Sequence, residues 1–346
     1  MHYSPSNETD FTTDLNWNDT YTKPQSSEVF FESYNNYSIH EEILKDKIRV
    51  KSFKNAILRN SYLFQDKIVL NLNCGTGILS FFASKAGARE IYAIDSTDII
   101  DFAEQTAIKN GFKNIKFIKD KIENITLPTY VDIIISDWMG YSLLCENLLE
   151  SIIYARDKYL IPGGILFPDK AKLFIAGIED AKYKDERIEF WSDVYGIDMS
   201  VFRKICLKDV RVEEISSESI VSTSCPVFEA DLYVVTKDHL NFVSQYSIQF
   251  TKKDFLHALI SWFEVTFSHC HKPIVINTGP KNKTTYWKQS VYYLDHSQPV
   301  EIGQILNGSF ASRMNMRKNR EMVFKISFHL GGKFPLNSMQ MFQLAS

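Results

Sequence analysis

No run of apolar residues in this 346-residue chain approaches the roughly 20 needed to cross a bilayer as a helix. The start, Met1-His2-Tyr3-Ser4-Pro5, lacks the charged segment followed by an apolar one that marks a secretory leader. Basic residues are not in excess: 39 Lys and Arg face 42 Asp and Glu, a formal net charge of -3. The footprint of a nucleic-acid binder is therefore missing, and direct contact with nucleic acid or membrane is not expected. Cysteines are few. Cys74, Cys145, Cys206, Cys225 and Cys270 are odd in number and show no CxxC spacing, which argues against both a disulfide framework and a metal site. These absences predict a reducing compartment, the cytoplasm, with the nucleus also open to the chain. There is no internal repeat, and no low-complexity segment after residue 27.

What is present suffices for two domains, each with its own core. Residues 1–27 are rich in Ser, Thr, Asn and Asp and poor in aliphatics, and are expected to form a mobile tail. Order is expected from Val29-Phe30-Phe31-Glu32-Ser33-Tyr34, then a helix over about 40–63 with Ile43, Leu44, Ile48, Phe53 and Ile57 at helical spacing. Residues 67–72 read as a buried strand, Asn73-Cys74-Gly75-Thr76-Gly77 as a tight turn, and 78–86 as a helix ended by Gly87. Strands at 90–95, 115–118 and 131–136 alternate with helices at 98–110 and about 146–159. That alternation predicts a doubly wound parallel sheet.

After Ile161-Pro162-Gly163-Gly164 the pattern changes. Segments 172–178, 230–235, 246–250, 258–267, 290–294 and 322–329 alternate apolar and polar residues, as antiparallel strands do. They predict a β-barrel or sandwich, interrupted by a helical, aromatic-rich insertion at about 183–204.

Two places carry chemistry. A strand, a glycine turn and a helix set backbone N–H groups and a positive helix end beside a ligand, and Asp95, about 20 residues on, can hold ribose hydroxyls. On these residues alone the ligand could be a nicotinamide dinucleotide or S-adenosylmethionine. The other place is the stretch from Val131 to Glu146. Its apolar run ends in a loop that presents Asp137, Trp138 and, nine residues after Asp137, Glu146. Two carboxylates on one loop can face a common cation; alternatively Asp137 caps the next helix and Glu146 is a solvated helical residue.

The loop Ser136-Asp137-Trp138-Met139-Gly140-Tyr141 with Glu146 resembles the double-glutamate loop of the protein arginine methyltransferases. The resemblance extends through Phe31-Glu32-Ser33-Tyr34, the stretch Ile39 to Arg49, Gly75-Thr76-Gly77-Ile78-Leu79-Ser80, the stretch Tyr154 to Leu160, Phe167-Pro168-Asp169, Tyr183-Lys184-Asp185 and Trp287-Lys288-Gln289. It is closest to the predominant type I enzymes. It implies a Rossmann-like S-adenosylmethionine-binding domain at 28–167 and a β-barrel domain at 168–346, with a dimerisation arm at about 182–206. It also assigns His40, Arg49, Gly75, Asp95 and Glu123 to the cofactor, with Glu123 on the adenine, and Glu146 and Asp137 to catalysis.

Five positions depart from the family pattern. Asp137 replaces the first glutamate and is one methylene shorter, a retraction of about 1.5 Å where about 1 Å can cost roughly a hundredfold. Tyr286 replaces the histidine of the Thr-His-Trp loop, which in the family pairs with an acid matching Asp46, and a phenol near pKa 10 is a poor acceptor at neutral pH. Asn73 replaces the first glycine of the cofactor turn, Asn71 the acid at the end of the first strand, and Phe30 a tyrosine of the N-terminal lid. Together they lead us to expect a non-catalytic, prozyme-like subunit that pairs with a catalytic arginine methyltransferase paralogue and acts on arginine-rich proteins through that complex. The alternative is an active S-adenosylmethionine-dependent type I enzyme.

Overall fold

The computed structural model describes residues 37–314 and 321–344. The expected tail, Phe30 and the Phe31-Glu32-Ser33-Tyr34 motif lie outside the described residues.

The single helix expected at 40–63 is three: α1 (Tyr37–Lys45), α2 (Lys47–Leu58) and α3 (Ser61–Phe64). Asp46 makes the first break. Its backbone is extended and its Oδ1 accepts the Arg49 N–H at 2.9 Å, an N-cap that starts a new helix. α2 buries Phe53, Ala56 and Ile57. Phe53 meets Phe267 edge-on at 5.0 Å, which fixes these helices against the second half of the chain.

The first sheet is parallel, in the order β3-β2-β1-β4-β5. Its strands are β1 (Ile68–Leu72), β2 (Glu90–Asp95), β3 (Ile115–Lys119), β4 (Val131–Ser136) and β5 (Leu160–Phe167). β1 is buried along its whole length, as a central strand covered on both faces must be. Helices α4 (Ile78–Lys85), α5 (Ile99–Lys109) and α6 (Leu148–Tyr159) supply the crossovers. α6 begins two residues later than expected, because Glu146 and Asn147 both have positive φ, which no helix accommodates.

Beyond β5 the strands are antiparallel. A six-stranded sheet runs β7-β12-β10-β6-β8, with β11 on β10, and a four-stranded sheet runs β15-β14-β13-β9. The strands are β6 (Lys170–Ile178), β7 (Arg211–Glu213), β8 (Cys225–Asp231), β9 (Phe242–Gln249), β10 (Asp254–Phe267), β11 (Ile274–Asn277), β12 (Gln289–Val300), β13 (Ile305–Met314), β14 (Met322–Leu330) and β15 (Leu336–Leu344). Tyr292 joins the sheets, meeting Phe310, Phe324 and Phe342 edge-on at 5.2 to 5.7 Å. The strand expected at 230–235 ends at Asp231, whose carbonyl takes the N–H groups of Val234 and Val235 in a turn.

The insertion is helical as expected: α7 (Ala181–Tyr183), a π turn, a 3-10 turn and α8 (Ser200–Cys206). Trp191 stacks on Phe202 at 4.9 Å, and Arg203 ties Glu189 to Asp295. Tyr195, Ile197, Val201 and Ile205 stay exposed. Among the described residues no helix is long and apolar enough to cross a membrane.

Candidate active site

The carboxyl ends of β1, β2 and β4 open into a cavity of about 400 Å³, closed by α1, α2 and the loop before β12. This is where a doubly wound sheet places its ligand. Asp95, Asp120, Glu123, Asp137, Glu146 and Glu150 contribute carboxylates to its lining, against the bases Arg49 and Lys121. Such a lining suits a cationic ligand.

Asn73, Gly75 and Gly77 of the turn all take positive φ, at 53°, 50° and 79°. Gly77 is needed for space as well as for backbone, Gly75 for backbone alone. A Cβ on Gly77 would stand 3.1 Å from the Phe81 ring and 3.2 Å from Ala103, and one on Gly75 would touch the His40 imidazole at 3.4 Å. Asn73 adopts the left-handed conformation that Asn tolerates better than other side chains. Asp95 closes the turn: its Oδ2 accepts the Gly75 N–H at 2.8 Å, and its Oδ1 accepts from the Thr97 N–H and hydroxyl. Thr97 was not singled out from the sequence; a hydroxyl two residues after a strand-end Asp is the signal that could have found it. Glu123 lines the same cavity and accepts the Ser151 hydroxyl at 2.8 Å. Asn71 does not line it. That residue is fully buried in β1, and its amide donates to Ser80 Oγ at 2.8 Å.

At the other end, Arg49 donates through Nε and Nη2 to Asp137 Oδ2 and through Nη1 to the Ile43 carbonyl. The guanidinium also lies 5.9 Å from the centre of the Trp287 ring. Asp137 Oδ1 is buried with no hydrogen-bond partner among the described residues. Glu146 is buried too, in a loop where Ser142, Leu143, Glu146 and Asn147 all have positive φ. Four such residues within six positions store strain that the surroundings must hold, as functional loops do. Neither carboxylate follows the bland alternative: Asp137 pairs with Arg49 rather than capping α6, and Glu146 precedes the helix and is not solvated.

Tyr286 enters the cavity beside them. Its ring stacks on Tyr141 at 5.7 Å, and its backbone N–H donates to Asp46 Oδ2 at 2.8 Å. Asp46 thus meets the backbone of this loop rather than a side chain. Burial first, and then Tyr141, push the Tyr286 phenol well above its ordinary pKa of 10. Trp287 is pinned by its indole N–H on the Met139 carbonyl at 2.9 Å. Tyr141, part of the loop that carries the family resemblance, had no role of its own expected from the sequence; here it is the partner that seats the Tyr286 ring. Among the described residues no three His, Cys, Asp or Glu side chains are grouped to hold a metal.

Comparison with known proteins adds a family to this geometry. Residues 63–186 match a methyltransferase domain model, and 169–333 match an arginine methyltransferase oligomerization subdomain. Protein arginine N-methyltransferase 1 of Dictyostelium discoideum is 41% identical over 315 residues, 90% of this chain and 92% of that protein. Its namesake in Schizosaccharomyces pombe is 43% identical over 312 residues, 90% of this chain and 92% of that protein. Among solved structures, the fold is similar to a chain of the Trypanosoma brucei PRMT1 enzyme-prozyme heterotetrameric complex with AdoHcy. The TM-score is 0.88 at 35% identity, covering 90% of this chain and all of that one. Arabidopsis thaliana protein arginine methyltransferase 10 follows, with a TM-score of 0.81 at 26% identity, covering 90% of this chain and 99% of that one.

Proposed function

The chain belongs to the protein arginine N-methyltransferase family, which binds S-adenosylmethionine, and from that premise we propose that it is itself an enzyme methylating arginine in arginine-rich proteins. This reverses the order of the two readings drawn from the sequence. Of the four departures within the described residues, two are accommodated. Asn73 takes up the glycine's conformation, and Asp137 still reaches the Arg49 guanidinium from the cavity wall. Asn71 lies away from the cavity, its amide on Ser80 and its buried Oδ1 without a partner among the described residues.

The observation that carries the reading is Asp137 Oδ1. A buried carboxylate oxygen left without a partner costs on the order of 1–3 kcal/mol or more, and a second guanidinium, the substrate's, would satisfy it. The cavity also fits the cofactor. Its carboxylate-rich lining suits a sulfonium, the glycine turn lets backbone approach closely, Asp95 sits at the strand end where ribose hydroxyls are held, and Glu123 faces the same space. When bound, S-adenosylmethionine supplies an electrophilic methyl group. The rest falls to the chain. Asp137 and Glu146 grip the substrate guanidinium as a fork, raise electron density on the nitrogen held toward the cofactor, and take the proton that this nitrogen loses. Arg49 holds Asp137 in place. Tyr286, kept protonated by its burial, does not act as the base.

That same tyrosine supports a second reading, a non-catalytic subunit that serves a catalytic paralogue through the oligomerization subdomain. Titration calorimetry with S-adenosylmethionine, on the purified chain and then on its mixture with its host's closest complete arginine methyltransferase, separates the two. Micromolar binding by the chain alone, with methyl transfer to an arginine-rich peptide, is the expected result. No heat alone, with heat on mixing at fewer sites than subunits, would replace the first reading by the second.

A further inference from the structure

Tyr286 also lines a second groove, of about 670 Å³, between the α1–α2 elbow and the loop before β12. Its rim is basic. Lys45, Lys47 and Lys51 stand on one side and Lys283 and Lys288 on the other, with Glu42 and Asp46 as the acids between them. Lys45 pairs with Glu41, and the Asp46 carboxylate is occupied by the N–H groups of Arg49 and Tyr286. Lys47, Lys51, Lys283 and Lys288 are exposed and form no ion pair with the described residues.

Such a rim is the wrong sign for an arginine-rich protein approaching the clamp, since like charges within a Debye length of about 8–10 Å repel. The complementary charge lies in the same chain. The 36 residues before α1 hold six carboxylates (Glu8, Asp10, Asp14, Asp19, Glu28 and Glu32) against Lys23 alone. They join the fold at Tyr37, and Lys45 is eight residues further along, about 12 Å at a helical rise of 1.5 Å. The 18 residues from Asp19 to Tyr37 can cover at most about 60 Å, at roughly 3.3 Å per residue, so chain length puts the groove within reach.

We propose that the acidic segment from Glu8 to Asp19 seats in this lysine groove, beside the opening of the clamp. Seated there it covers the basic rim and sets the charge that an incoming peptide meets. The docking itself does not depend on the chain being an active enzyme.

Zero-length carbodiimide cross-linking of the intact full-length protein, read by mass spectrometry, tests it without cofactor or turnover. Cross-links from Asp10, Asp14 and Asp19 should concentrate on Lys47, Lys51, Lys283 and Lys288. They should fall about fivefold when salt is raised to about 0.5 M, where the Debye length is near 4 Å. In the double variant Lys283→Gln/Lys288→Gln, cross-links to the untouched Lys47 and Lys51 should fall about threefold, because neutralising part of the rim weakens the whole seat. Cross-links spread over exposed lysines elsewhere, such as Lys252 and Lys208, would overturn the proposal. So would cross-links found only between labelled and unlabelled copies, which would place the segment on a second subunit. Failure of methyl transfer in the calorimetry sample, with these cross-links intact, would leave the docking standing and remove the catalytic reading.

Discussion

The glycine-turn wall and the Tyr286 wall of the cavity both carry residues that the sequence led us to expect as departures from the family's pattern, and the structure treats them differently. On the first wall, Asn73 sits at φ 53° and the turn keeps its course, with Gly75 and Asp95 still bonded at 2.8 Å. What that wall needs is a backbone shape, and Asn is among the few residues that can supply it. On the second wall the shape is kept as well: Tyr286 is stacked, its N–H is bonded, and Trp287 is pinned behind it. There the group itself has changed, because a phenol pushed up by burial does not exchange protons near neutral pH as an imidazole does. A position judged by conformation can absorb a substitution that a position judged by proton chemistry cannot.

The largest test of that contrast lies between the walls. Glu146→Gln keeps the size of the side chain and removes the charge that the clamp needs, so kcat should fall by about 100- to 1,000-fold while cofactor affinity changes by less than about threefold. A loss below about tenfold would move the chemistry away from this loop and leave the comparison without a centre.

A smaller effect is expected at Tyr286 itself. Tyr286→His should raise kcat by about tenfold and bring a pH dependence that the native chain lacks. The sign follows from the acceptor: an imidazole accepts a proton only when neutral, so the rate should rise with pH through about 6.5, the ordinary histidine value. The tyrosine, raised above 10, leaves the profile flat there. A pH–rate series on both forms measures it. Equal rates and equal profiles would put Tyr286 in the same class as Asn73.

Most of the parallel sheet was legible because its strands are short and separated by helical periods, with β1 and β4 apolar on both faces, a pattern that buried strands share with little else. Asp95 and Asp137 were legible because they sit at strand ends, whereas His40, Arg49, Glu123 and Tyr286, on helices and loops, were named only through the family resemblance. What escaped the sequence did so for local reasons. The N-cap at Asp46 hid inside an otherwise continuous helical period. The start of α6 slipped because positive φ at Glu146 and Asn147 leaves no trace in residue type. Strands β5, β7, β11, β13 and β15 were not anticipated, and β5 runs through Ile161-Pro162-Gly163-Gly164, where the sequence suggested that the pattern breaks. In β13, Asn307-Gly308 carries a turn signature, yet Gly308 lies in the strand because a Cβ there would stand 1.9 Å from the Ser327 carbonyl oxygen and 2.7 Å from the Tyr246 ring. That glycine serves close packing between neighbouring strands, which only the partners reveal.

The smallest expected effect is the one most able to blur the contrast between the walls. If the turn needs only a left-handed residue at position 73, then Asn73→Gly should alter cofactor affinity by less than about twofold and leave thermal stability nearly unchanged. Asn73→Ala should lose about 1–2 kcal/mol, because an alanine has the Cβ that disfavours φ 53° and no side-chain amide to offset it. Asn73→Val should lose more, since a branched Cβ makes the left-handed region a true outlier. The order Gly, Asn, Ala, Val in both melting temperature and titrated affinity would tie the position to backbone shape. If instead the Gly variant bound S-adenosylmethionine about tenfold more tightly while Ala matched Asn, the Asn73 side chain would be blocking the site through its bulk rather than fitting its fold. The two walls would then be damaged in the same way, and the non-catalytic reading would regain the weight that the geometry of the turn took from it.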